Sequence, residues 1–136
     1  MKKGSIKKMR LIKFRGKSNG TWCFGELSYR DNIYSIREET EGLMTLLNAD
    51  AQYQVEEKTV SQFTGLLDRF NQEIYEGDII QHDSGLRAIV IWNEETIGFT
   101  LLYLFKSKIS YTLLNSSANQ WRVISNIYDN PDLKFD

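Results

Sequence analysis

Apolar residues in this chain fall in short runs separated by Gly, Asn, Asp and Ser, the pattern of strands punctuated by turns. The clearest run is Ala88-Ile89-Val90-Ile91-Trp92. It has no polar alternation, which predicts a central strand covered on both faces. Asp83-Ser84-Gly85 is a short loop that predicts a hairpin between Ile79–His82 and Leu86–Asn93. Upstream, Thr59 and Gln62 stand at capping-box spacing. That spacing predicts a helical turn through Val60 to Phe63, stopped at Gly65. Leu66 and Leu67 then enter a polar tight turn, Asp68 to Gln72. The Gly77-Asp78 pair precedes an apolar run, so Gly77 is expected at positive φ in a turn feeding a strand.

The remaining segments continue in the same manner. From Met9 the residues alternate, with Ile12 and Phe14 on one face and Lys13 and Arg15 on the other, which predicts a half-exposed strand. Gly16 to Gly20 is expected to turn into a strand over Thr21–Tyr29, with Gly25 as a bulge. Arg30-Asp31-Asn32 then returns the chain into Ile33–Arg37. Glu38 to Asp50 is expected to be a loop with one or two helical turns on Leu43, Leu46 and Leu47, and Gln52–Val55 a short strand. Asn93-Glu94-Glu95 should turn into Thr96–Phe105, with a polar break at Lys106-Ser107-Lys108 and a further strand over Ile109–Leu114. Asn115 to Asn119 is expected to be a flexible loop, Trp121–Ser125 a last strand, and Asn126 to Pro131 a closing turn. The expected fold is mainly β: a small SH3-like barrel or a two-layer β meander with one or two short helical turns.

Length and composition narrow this reading. The 136 residues suffice for one hydrophobic core, and 12% aromatics with a single Pro favour strands. Cys23 is the only cysteine, so no intrachain disulfide is expected and a cytoplasmic location fits. The longest apolar run, Phe99–Phe105, is too short to span a bilayer, and no apolar segment follows the basic N-terminus as in a signal peptide. The net charge of −1 hides an asymmetry. Residues 1–17 carry Lys2, Lys3, Lys7, Lys8, Arg10, Lys13, Arg15 and Lys17 and no acid, whereas the remainder carries nine basic and eighteen acidic residues, so a +8 segment precedes a −9 body.

The stretches MRLIKFRGK, QFTGLLDRFNQEIYEGDII, AIVIWNEE and NIYDNPDL occur in an order that resembles the YopX family of small phage and prophage proteins. The resemblance runs from Met9 to about Leu133. The family's Met-Arg-x-Ile-Lys-Phe-Arg opening matches Met9 to Arg15, which leaves residues 1–8 as a basic extension before a single domain over 9–136. One departure is that Arg69-Phe70-Asn71 stands where the family turn usually reads Lys-Asn-Gly. Asn71 still tolerates a left-handed backbone, and Phe70 would then project, either exposed or docked on a partner. The resemblance implies a phage or prophage origin and brings no catalytic residues with it.

Residue chemistry adds few candidates. Cys23 and His82 would form a nucleophile–base pair only if the fold brought them together. One His and one Cys leave no zinc set. Asp50 with Glu56, Glu57 and Lys58 formally matches the acidic pattern of a metal-dependent nuclease. No cofactor, small-molecule substrate or membrane partner is expected. The functional expectation is therefore a non-enzymatic protein-interaction or self-assembly module, partnered by itself or by a host or phage protein. The alternative is nucleic-acid binding, with Lys7, Lys8, Arg10, Lys13, Arg15 and Lys17 as contact residues in either case.

Overall fold

The computed structural model describes residues 11–38, 51–105, 108–114 and 116–133. Among these residues, eleven strands build two open antiparallel sheets. The first has the order β4(Ala51–Gln54), β3(Ile33–Glu38), β2(Thr21–Arg30), β1(Phe14–Ser18), β5(Ser61–Leu67), β6(Glu73–Tyr75). The second has the order β10(Lys108–Leu113), β9(Gly98–Phe105), β8(Arg87–Asn93), β7(Asp78–His82), β11(Trp121–Asn126). Mainly β is thus the observed class, and the sheets are open rather than closed into a barrel.

Turn chemistry sets the hairpins. Asn19 and Gly20 (φ 51° and 82°) join β1 to β2, and Asp31 and Asn32 (φ 54° and 65°) join β2 to β3. In each pair both central residues are left-handed, which matches the twist of the flanking strands. The predicted turn at 16–20 therefore shrinks to its last two residues. Gly16 lies inside β1, where a Cβ would meet the Val55 side chain at 2.9 Å. Gly25 pairs with Phe14 in an unbroken β1–β2 register, so no bulge forms there. The loop over 83–85 joins β7 to β8 as expected, and Asn71 is left-handed at φ 63° in the turn after β5.

Two segments differ from their sequence patterns. The residues predicted as a capped helical turn, Val60 to Phe63, mostly enter β5, and helical geometry appears just before them, as a 3₁₀ turn over Glu57–Thr59. The Thr59 hydroxyl donates backward to Glu56 O (2.7 Å) and accepts from the Lys17 amide (2.9 Å), so it caps nothing ahead of it. Pairing of Ser61 and Gln62 with Arg15 and Phe14 outweighs the local preference. Gly65 (φ 87°) then marks the slip in β5–β6 register between Phe63 and Leu67 rather than a helix end. The second difference is at 115–119. Ser116–Gln120 is a 3₁₀ turn that drives Ala118, 3% exposed, into the core. Much of Glu38–Asp50, including Asp50, lies outside the described residues.

The larger core joins Ile74 of β6 with Ile80, Ala88, Val90, Leu101, Ala118 and Trp121, and so ties the end of the first sheet to the second. A smaller core of Cys23, Ile36 and Val55 lies within the first sheet. β8 is the central strand of its sheet, but only Ala88 and Val90 are fully buried. Ile89 and Ile91 are half-buried and Trp92 is 43% exposed, so the expectation of cover on both faces is corrected. One face meets β6 and the second 3₁₀ turn, while the other is only partly sheltered. Val90→Ala should therefore cost about 1–3 kcal/mol, and Ile91→Ala less despite removing more atoms. Urea midpoints of the two variants check the order.

Candidate functional site

Lys13, Arg15 and Lys17 recur with the period of a strand and share one face of β1 and its lead-in. Neighbouring strands set aromatic rings between them. The Arg15 guanidinium carbon lies 4.6 Å from the Trp22 ring centre and 4.9 Å from that of Tyr75. The Lys17 ammonium is 5.3 Å from the Trp22 ring, and that of Lys13 is 6.0 Å from Phe63. Tyr75 packs edge-on or tilted against Phe24 and Phe63, with centres 5.6 and 5.5 Å apart. Each cation also meets one acid. Lys13 Nζ is 2.8 Å from Glu73 Oε2, Arg15 Nη1 is 2.8 Å from Asp78 Oδ1, and Lys17 pairs with Asp129.

Arg15 and Asp78 are the buried members, with side chains 7% and 1% exposed. Asp78 Oδ2 accepts the Tyr75 amide (2.8 Å), while Arg15 Nη2 donates to Glu76 O (3.3 Å). Arg15 Nε and Asp78 Oδ1 make no hydrogen bond of good geometry, so the pair is held by charge and by ring stacking. Burial pushes the Asp78 carboxyl up to about 6, against the opposing pull of Arg15 and of the Tyr75 amide. Asp129 is the contrast. Hydrogen bonds from Lys17 and from Trp22 Nε1, the latter at 3.0 Å, bring it down to about 2. Its turn is fixed by Asn126, whose Oδ1 accepts the amides of Tyr128 (3.0 Å) and Asp129 (2.8 Å). The Tyr128 ring in turn leaves no room beside Gly77. At φ 87°, a Cβ there would stand 2.8 Å from Cε2 of that ring. Gly77 is thus left-handed as its place before the strand predicts.

The alternation of β1 predicted Arg15 on a wet face, and the structure buries it. The signal for its partner was the carboxylate of Asp78 entering an apolar run, but nothing in the spacing joined the two. Lys7, Lys8 and Arg10 lie outside the described residues. Cys23 is buried in the smaller core, where burial raises its thiol pKa, whereas His82 sits on the second sheet against Trp121 (5.1 Å) with Ser84 Oγ 3.0 Å from Nδ1. The fold does not bring that pair together. Glu56, Glu57 and Lys58 are exposed at the first 3₁₀ turn. Among the described residues, no three of His, Cys, Asp and Glu are placed to hold a metal ion, and no helix is long and apolar enough to cross a membrane.

Beside the cation stripe runs an open groove of about 800 Å³. Leu11, Ile12 and Phe24 give it apolar surface, 58%, 60% and 40% exposed, and Lys13, Glu26, Arg37 and Glu38 supply charge. Glu26 pairs with Arg37, and the Glu38 carboxylate accepts the Phe24 amide (3.0 Å). The lining thus mixes three exposed apolar side chains with four charged ones, a composition common at protein–protein contacts.

Removing one member of the buried pair leaves the other uncompensated. Arg15→Met should cost about 3–5 kcal/mol at neutral pH. Asp78 has a folded pKa raised above its ordinary value, so the folded state holds the proton more tightly. Its contribution to stability is therefore largest at low pH and declines as pH rises from about 4 through about 6. Without Arg15, whose charge holds the carboxyl down, the decline should extend to higher pH, and urea midpoints of both chains between pH 5 and 8 check this. Asp129 has the opposite sign. Its contribution is present above about pH 4 and lost as pH falls towards 2, and carboxyl chemical shifts should follow it.

No curated protein matches the chain. A family model described as YopX protein matches residues 13–133, the span that contains the cation stripe, both sheets and the Asn126–Asp129 turn, and the chain belongs to the YopX family.

Proposed function

We propose that this chain is a non-enzymatic accessory protein of a phage or prophage, working in the cytoplasm of the bacterial host as a protein-interaction or self-assembly module. The observation that carries the reading is the groove beside β1, where Leu11, Ile12 and Phe24 expose apolar surface among charges that already have partners or anchors in the chain. Such a surface gains by excluding water against another protein.

The alternative, nucleic-acid binding, draws support from the basic residues of the first seventeen positions. It is weakened at Lys13, Arg15 and Lys17, whose charges pair with Glu73, Asp78 and Asp129 of the same chain. A phosphate would have to displace those carboxylates. Lys7, Lys8 and Arg10 would carry the contact.

The two readings separate in one set of measurements. Pull-down from a bacterial host should retain a partner on the native chain and lose it on the Ile12→Ser/Phe24→Ser variant, because both positions are exposed and the fold should survive. Equal retention on both chains would remove the groove from the reading. Gel shifts of DNA and RNA at low salt should show no retardation. Retardation that fades with salt and with deletion of residues 1–8 would favour nucleic acid instead.

A further inference from the structure

We propose that β4 is the strand through which two copies of this chain join, antiparallel and across a twofold axis at Tyr53. The inference rests on the reading of the chain as an interaction module and adds a second copy as partner, on a surface separate from the groove.

The argument starts from the sheet edges. Two open sheets have exposed edges, and an edge strand offers unpaired amides and carbonyls unless something blunts it. The β11 edge is blunted by the turn after β5. Arg69 N donates to Trp121 O (3.0 Å), Asp68 Oδ2 accepts the Val123 amide (2.9 Å), and a register shift follows between Val123 and Ser125. The β6 edge is three residues long and its Tyr75 amide is held by Asp78. The β10 edge opens with Lys108. β4, Ala51-Gln52-Tyr53-Gln54, has none of these protections: no charge, no Pro and no shift in its register with β3.

The orientation of its free groups follows from the ladder. Val55 N donates to Tyr34 O (2.9 Å), and Tyr53 stands opposite Ile36. Alternation along an antiparallel pair then turns the backbone of Tyr53 towards β3 and those of Gln52 and Gln54 outward. No hydrogen bond from a described residue reaches these outward groups, and Gln52, Tyr53 and Gln54 are all exposed. Gln-Tyr-Gln reads the same in both directions. An antiparallel copy therefore sets Gln52 of one chain opposite Gln54 of the other as hydrogen-bonded pairs on both sides of the axis. Tyr53 meets its own copy at the closer, non-hydrogen-bonded position, where Cα atoms lie about 4.5 Å apart. Aromatic side chains there stabilise the pairing, and no like charges oppose each other. The two first sheets become one continuous sheet with an isologous interface.

Light scattering should find a dimer for the native chain. Gln54→Pro removes an outward amide, and Tyr53→Lys places like charges on the axis. Each should raise the dimer dissociation constant by more than about tenfold while circular dichroism stays unchanged, since both positions are exposed. Tyr53→Cys should give a covalent dimer on mild oxidation, because Cys23 is buried and does not compete, whereas Phe70→Cys, 68% exposed elsewhere, should not. A dimer that survives both Gln54→Pro and Tyr53→Lys, or that cross-links equally through Phe70→Cys, overturns the β4 assignment but leaves self-assembly through another face. A native chain that is monomeric at every concentration overturns β4 pairing, and the groove assay then decides the interaction reading separately.

Discussion

The buried pair of Arg15 and Asp78 is the constraint around which this fold closes. It joins the first strand to the start of β7, and so joins one sheet to the other. Both charges are removed from water, which costs several kcal/mol per ion unless the surroundings compensate. Here the compensation is shared. Tyr75 and Trp22 flank the guanidinium, Glu76 O accepts a hydrogen bond from it, and the Tyr75 amide donates one to the second carboxylate oxygen. Burial still wins at the acid, which is why the Asp78 carboxyl rests near 6 rather than below its ordinary range. A pair of this kind adds little net stability, but it penalises every arrangement in which one partner lacks the other.

Two further anchors extend the same logic outward. Lys13 with Glu73, and Lys17 with Asp129, flank the central pair on the shared face of β1. The second ties the first hairpin to the closing turn, with the Trp22 indole as an additional donor. The charge asymmetry between the first seventeen residues and the remainder is thus partly internal wiring. A separate carboxylate, Asp68, manages the turn after β5. It accepts the amides of Phe70 and Gln72 within the turn and that of Val123 across on β11. One side chain therefore shapes a tight turn and seals the edge of the opposite sheet.

What remains for function lies on surfaces that these internal contacts do not consume. The groove beside β1 and the edge at β4 are both on the first sheet, where most residues of β2 and β4 are exposed. The second sheet is better sheltered on its β6-facing side, and its β8–β9 hairpin still exposes Trp92 against Phe99, ring centres 5.1 Å apart. Open sheets with aromatic rims are suited to recognition by other proteins, since each edge and face is a site that another chain can complete.

Local patterns alone determined the strand class, the hairpins and most turns. Gly77 announces left-handed backbone because few other residues adopt it without strain, and the turns expected within 16–20 and 30–32 close on Asn19-Gly20 and Asp31-Asn32, which are left-handed as well. Val90 was legible as core for a similar reason, since an unbroken apolar run must be buried on at least one face. The fate of Thr59–Phe63, Ile91 and Arg15 was decided only by tertiary structure. Thr59 and Gln62 carry a helical signal, but β1 offers Ser61 and Gln62 a ladder that a short turn cannot match. Ile91 has the hydrophobicity of a core residue, yet no layer fully covers its face. Arg15 looks like a surface cation by period and charge, and only the long-range meeting with Asp78, Trp22 and Tyr75 makes its burial tolerable. Period and propensity act between neighbours in the chain, whereas the solvation of a charge depends on every group that the fold brings beside it.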